Sequence, residues 1–259
     1  MKNSNDESFA MSGAVVCDKC GRDHPVDLWA IIDAEARPDL LAKMAVNTLN
    51  VVTCPHCEGR GHIGGPLFVI FPKVEPPKPF TRTVGVECGK DKYWMTDEDA
   101  VNALFGALVD ERGEEWVDKH LSPPFSMTRP DVLIKTLLDA WKPVASPDNG
   151  AEKLRQSASD RIAGMKARSA NNALDPFYTD TFTGYNMAAW SEHGYALALK
   201  LVELSPSRGD ETARNYADRI IGHLKAIKKE YSDDPADQDG GGAGAFQSAI
   251  MAVDELAGK

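Results

Sequence analysis

TCPHCEGRGHI, residues 53–63, places Cys54 and Cys57 three positions apart, with Gly59 and Gly61 close behind. Upstream, CDKCGRDH, residues 17–24, repeats the arrangement with Cys17, Cys20 and Gly21. Thirty-three residues lie between the two pairs. Four thiolates in two C-x-x-C pairs are the donor set of a closed tetrahedral zinc site, which is structural because no position is left for water or substrate. Each pair is expected to form a tight turn whose backbone N–H groups face the sulfurs. Pro55 stiffens the second turn, and Gly21 and Gly59 stand where a positive φ is expected. Four thiols buried in a core, or a redox-active C-x-x-C, are the competing readings. A redox pair usually opens a helix after a buried strand, whereas both pairs here run into glycine and turn residues. His24 and His62 are candidate replacement ligands, and His56 is expected to face outward. Cys88, alone in VECGKDK, is read as a non-catalytic thiol.

The flanking sequence fits a small β-rich unit. AVVCDKC reads as a strand entering the first pair, and HPVDLWAIID, with Val26, Leu28 and Ile32 alternating, as a second strand. RPDLLAKMAV reads as a short helix with Pro38 in its first turn. LNVVTC is a β-branched run that delivers Cys54, and GGPLFVIFP is a last strand with a bend at Gly64 and Gly65. The gap between the pairs exceeds that of a simple zinc ribbon and has room for strand, helix and strand. PKVEPPKPF, residues 72–80, holds four prolines in nine residues and reads as an extended linker.

Beyond it, TRTVGVECGKDKYWMT suggests a strand and turn. DEDAVNALFGALVDER is a helix with Thr96 as N-cap and Gly113 as its stop, and EEWVDKHL is a further short helix. Thr128 and Pro130 open another, with Val132, Leu133, Leu137, Leu138 and Trp141 as its buried side. The rest reads as helical. AEKLRQSASDRIAGMKARS is weakly amphipathic, a mobile or partner-facing helix. NMAAWSEHGYALALKLVEL is stronger, and DETARNYADRIIGHLKAIKKEY follows the 3.6 period most clearly. SDDPADQDGGGAGA reads as a flexible linker before a last helix in FQSAIMAVDEL. The fold class expected is α+β: a flexible tail over 1–13, a zinc-ribbon-like β-rich domain over 14–72 and a linker over 73–80. An α+β segment over 81–145 follows, then a helical region over 146–259 with a glycine-rich linker near 233–245.

The 259-residue chain carries a formal net charge of −10, a poor basis for binding nucleic acid or anionic membrane. It shows no signal-peptide run and no apolar stretch of membrane-spanning length, so no membrane partner and a cytoplasmic location are expected. In a reducing compartment the paired cysteines favour metal over disulfides. No nucleophile elbow, phosphate-binding loop or H-E-x-x-H motif is present. TDTFTGYNMAAWSEHGYA gathers Asp180, Tyr185, Trp190, Glu192, His193 and Tyr195. Glu192 and His193 are adjacent and face different directions on a helix, so aromatic packing is the better reading than an active site.

Residues 14 to about 72 resemble the bacterial CpXC domain. The resemblance rests on CDKC, on VDLWAIIDAEARPDLLAKMAVNTLNVVTCPHC and on PLFVIFP. It departs in the first pair, where Asp18 stands in place of the family's proline. It implies a zinc-ribbon-like scaffold and no particular activity. A narrower similarity links TCPHCEGRGHI to the C-x-x-C-x-G-x-G zinc repeat of DnaJ-type chaperones, which pair four such repeats into two sites. Here one full copy accompanies a degenerate one, and His24-Pro25 is followed by Val26 rather than the Asp of a J domain. The function expected is that of a zinc-binding, non-catalytic interaction or regulatory module with a protein partner. An enzyme with its site in the helical region, or a zinc-dependent thiol or chaperone-like activity, is the alternative.

Overall fold

The computed structural model describes residues 6–64, 67–70, 98–121, 130–140, 150–174, 182–208, 211–233, 237 and 240–258. The chain divides into two compact units, 1–140 and 141–259. The linker expected over 73–80, the strand expected near 81–88, Cys88, Thr96, Thr128 and Trp141 fall outside the described residues.

The first unit is built on two strands that flank the first cysteine pair. β1 (Phe9–Val16) runs antiparallel to β2 (Asp23–Asp33), with Met11 opposite Leu28 and Gly13 opposite Val26. β1 begins inside the segment expected to be a flexible tail, because Phe9, Ala10 and Met11 supply apolar side chains that a tail would not. Phe9 and Met11 pack on the core. β2 ends in an Asx turn: the buried Asp33 carboxylate accepts from the backbone N–H groups of Glu35 and Ala36, each at 3.0 Å. Burial raises the Asp33 pKa, against the pull of those N–H groups.

The turn delivers α1 (Pro38–Ala45), which has Pro38 in its first turn and buries Leu40, Leu41 and Met44. Two short strands follow: β3 (Val51–Thr53) pairs antiparallel with β4 (Arg60–His62). β4 is not legible in the sequence, since a Gly-Arg-Gly-His run lacks strand formers; pairing with β3 after the second cysteine turn holds it extended. β5 (Phe68–Ile70) then pairs parallel to the end of β2, so the larger sheet has the order β1-β2-β5.

α2 (Glu98–Arg112) lays Leu104 and Leu108 against Ala30, Ile31, Phe68 and Ile70. Its partner α3 (Glu114–Leu121) adds Val117 to the same core. Gly113 joins them at φ 86°, a conformation that favours glycine. α4 (Pro130–Ala140) buries Leu133, Ile134 and Leu137, but Val132, expected on its buried side, is exposed.

The second unit is helical: α5 (Gly150–Leu174), α6 (Phe182–Glu203), α7 (Ala213–Ser232) and α8 (Gly241–Ala257). α5 packs on α6, α6 and α7 each pack on α8, and α7 returns to α5. The stretch expected to be mobile or partner-facing is the core-lining part of α5, where Ala151, Leu154, Ala158 and Ile162 are buried. Two of these four are alanines, so the stripe is weak in hydropathy while allowing close helix contact.

The glycine run also departs from expectation. α8 starts at Gly241, after Gly240 at φ 70°. The buried Asp237 carboxylate caps it by accepting from Gly242 N–H at 3.0 Å and Ala243 N–H at 2.9 Å. The absent side chains serve packing. A Cβ on Gly242 would lie 2.6 Å from the Tyr231 ring, and one on Gly194 of α6 would lie 2.9 Å from the Ala245 Cβ.

Candidate metal centre

The turns after β1 and β3 present the cysteines. Cys17 and Cys54 are buried, Cys57 is half-buried and Cys20 is exposed. The two turns have the same backbone wiring. Cys17 N–H donates to the Arg22 carbonyl at 3.0 Å, and Cys54 N–H donates to the Gly59 carbonyl at 2.8 Å. Gly21 N–H returns to the Cys17 carbonyl at 2.8 Å, and Glu58 N–H returns to the Cys54 carbonyl at 2.9 Å. Gly21 has φ 69°, and its counterpart Glu58 has φ 57°. The positive φ expected at Gly59 therefore falls one residue earlier, on a glutamate. Gly59 is needed for space instead: a Cβ there would stand 3.3 Å from the Cys57 Sγ and 3.2 Å from the Lys19 side chain.

These turns bring all four sulfurs within 4.8 Å of one another. The shortest contacts cross between turns: Cys17 Sγ to Cys57 Sγ is 3.6 Å, and Cys20 Sγ to Cys54 Sγ is 3.7 Å. A disulfide has its sulfurs at about 2.05 Å, so these are not bonded pairs. The sulfurs of a zinc tetrahedron with 2.3 Å bonds are separated by about 3.8 Å. The donor set therefore fits a thiophilic cation.

The electrostatics point the same way. Backbone N–H groups of Cys20 and Lys19 hold the Cys17 thiol down to about 6, with burial opposing them. At Cys57 the Gly59 N–H also favours the thiolate, yet burial and the neighbouring sulfurs outweigh it and push the thiol up to about 11. Successive thiolates crowd one another, and a shared divalent cation removes that conflict.

Among the described residues the four cysteines form the metal-competent group, and neither His24, His56 nor His62 joins it. His24 is buried in β2 opposite Val15. His62 pairs with Val51 in β4, and burial lowers its pKa against the opposing Leu49 carbonyl.

Asn50 is the supporting residue that the sequence reading missed. At φ 55° it turns the chain into β3, and its side chain accepts from Trp29 N–H at 2.8 Å and donates to the Trp29 carbonyl at 3.1 Å. It thereby joins the strand carrying the second cysteine pair to β2. Its signal was the asparagine itself, which tolerates the left-handed region better than most residues.

Among the described residues, those gathered around His193 form no metal-competent group. The Trp190, His193, Tyr231 and Phe246 rings pack in a chain of contacts, with Tyr231 and Phe246 centred 5.0 Å apart. Asp180 lies outside the described residues, as does the side chain of Tyr185.

The first unit thus contains a small mixed-sheet domain in which two like turns bring four thiols close enough to share a metal ion. Residues 15–76 match the family model described as CpXC protein, and the rest of the chain is unmatched by it. The search of curated proteins and the search of solved structures returned no match. Among the described residues, no helix is long and apolar enough to cross a membrane.

Proposed function

We propose that the CpXC domain holds one structural Zn²⁺ through Cys17, Cys20, Cys54 and Cys57, and that it serves a non-catalytic role as an interaction or regulatory module for a protein partner. The carrying observation is the set of sulfur distances: the two cross-turn contacts of 3.6 and 3.7 Å match a zinc–thiolate tetrahedron. A set of four protein ligands leaves no open position on the metal, which favours scaffold over catalysis. The net charge of −10 disfavours nucleic acid as the partner.

Metal analysis of freshly purified, reduced protein tests the zinc reading. One zinc per chain is expected, and a clear substoichiometry under reducing conditions sinks it. Cys17→Ser and Cys54→Ser separate a scaffold from thiol chemistry. A structural site predicts that each variant loses zinc and unfolds the domain. Variants that kept the fold and lost only a thiol-dependent activity would favour the redox or chaperone-like alternative.

A further inference from the structure

We infer that the four-sulfur cluster is a peroxide-sensitive switch: Cys20 is the sulfur attacked, Cys54 resolves it into a disulfide between the two turns, and zinc is released. This deepens the regulatory reading above, and the release of metal rests on the zinc proposed there. Cys20 is exposed, Cys57 is half-buried, and Cys17 and Cys54 are buried. A dissolved oxidant therefore meets Cys20 first. The Cys54 sulfur lies 3.7 Å from it, and Cys17 stands 3.6 Å from Cys57. Both contacts run between the turns rather than within a C-x-x-C pair. The turns also abut through their side chains, since Lys19 Cβ and Cδ lie 3.3 and 3.2 Å from where a Cβ on Gly59 would stand.

The reactive form of a cysteine is the thiolate, and cysteines that share a cation are deprotonated. The Cys20 thiolate attacks one oxygen of hydrogen peroxide. An S–O bond forms, the O–O bond breaks, and hydroxide leaves and takes up a proton to become water. Cys20 is then a sulfenic acid, oxidised by two electrons. The Cys54 thiolate attacks that sulfur. The S–S bond forms, the S–O bond breaks, and a second hydroxide leaves and is protonated to water. One peroxide is thus reduced to two waters while two thiolates become one disulfide.

Two of the four donors are consumed, and the two that remain cannot close a tetrahedron. Cys17 and Cys57 take a second peroxide in the same way across their 3.6 Å contact. The buried resolving sulfur beside the exposed one captures the sulfenic acid before it reaches the sulfinic stage, from which thiols do not return it. The Cys20–Cys54 bond closes a loop with 33 residues between its ends, so it constrains the unfolded chain in place of the metal. The link between the turns is exchanged rather than lost, and a thiol reductant reverses the exchange.

Stepwise titration of the full zinc-loaded chain with hydrogen peroxide tests this, with released zinc read by a chromophoric chelator and disulfides mapped by mass spectrometry without reduction. The Cys20–Cys54 disulfide is expected first, together with zinc release, and the Cys17–Cys57 disulfide with further peroxide. Dithiothreitol followed by zinc should restore the loaded cluster. Disulfides within the pairs, Cys17–Cys20 or Cys54–Cys57, overturn the inference, as does a bond from any of the four to Cys88. Cys20 driven to sulfinic acid without a disulfide overturns it too, as does zinc that stays bound in excess peroxide. A reduced, freshly purified chain without zinc overturns the zinc reading instead, and the disulfide map of the same samples still decides the sulfur pairing.

Discussion

Glu58 carries the most informative single torsion angle at the candidate metal centre. At φ 57° it occupies the position that Gly21 takes in the first turn, and a side chain in that region costs about 1–2 kcal/mol. Glu58→Gly is expected to stabilise the metal-loaded domain by about 1 kcal/mol in chemical denaturation. Gly59→Ala should do the reverse. Its methyl would press on the Cys57 Sγ at 3.3 Å, and faster zinc loss to a chelating dye measures the effect. Asn50→Ala removes both side-chain bonds to Trp29 and leaves that N–H and carbonyl without these partners. The expected cost is about 1–3 kcal/mol, read as a lowered denaturation midpoint of the first unit.

At the scale of elements, the glycines of the helical unit divide by what surrounds them. Gly222 in α7 has open space around its missing Cβ, so Gly222→Ala should stabilise by about 1 kcal/mol through helix propensity. Gly242→Ala in α8 should destabilise by about 1–3 kcal/mol, because its methyl meets Tyr231 at 2.6 Å. Paired thermal melts compare the two directly.

The entry to α7 is fastened by charge. Thr212 caps the helix by accepting from Asn215 N–H at 3.2 Å. Arg219 grips Glu211 through two bonds of 2.9 and 2.8 Å and also donates to the Pro206 carbonyl. Burial works against the Glu211 carboxylate, but Arg219 and the Arg208 N–H outweigh it and hold its pKa below the usual range. A depressed folded-state pKa gives stability that is full above the unfolded value and is lost as pH falls through the folded one. Glu211→Gln should therefore flatten the acid limb of the stability–pH curve below the ordinary glutamate range, with little change in the shape at higher pH.

Element type was legible wherever periodicity was strong. β2, α1 and α7 follow their apolar patterns closely, α2 buries Leu104 and Leu108 but leaves Val109 exposed, and the clustering of the four cysteines was legible from spacing alone. The misses have physical causes. β4 is a strand by imposition, held between β3 and a cysteine turn. The α5 stripe is half alanine and the α8 start is mostly glycine, so both look polar or flexible until a neighbouring helix occupies the space that small residues leave. Glu58 gave no signal because the turn dictates its torsion and the residue type does not.

At the scale of the whole molecule, the chain divides into two compact units. The first relies on a small sheet, a few helices and the metal turns, whereas the second buries Leu197, Leu201, Tyr216, Leu224 and Phe246 among its helices. Chelation should therefore act on one unit and spare the other. If the proposed zinc site is filled, chelation is expected to abolish the protease resistance of the first unit while the fragment from about 150 onward stays protected, because metal binding is folding energy where the site is built by the fold. Limited proteolysis with mass mapping reads this. Equal loss of protection across both units would contradict it.

The matching hydrogen bonds of the two cysteine turns make them interchangeable parts. Neither turn uses the N–H of the residue after its first cysteine in the bonds that close it, and this is why Pro55, which has none, can sit there. Asp18 occupies the same place in the other turn without needing its own N–H for closure. Exchanging Asp18 for proline, or grafting the whole CPHC segment onto residues 17–20, should leave the sulfurs where they are. Two different tetrapeptides, CDKC and CPHC, thus complete the same backbone circuit in this chain.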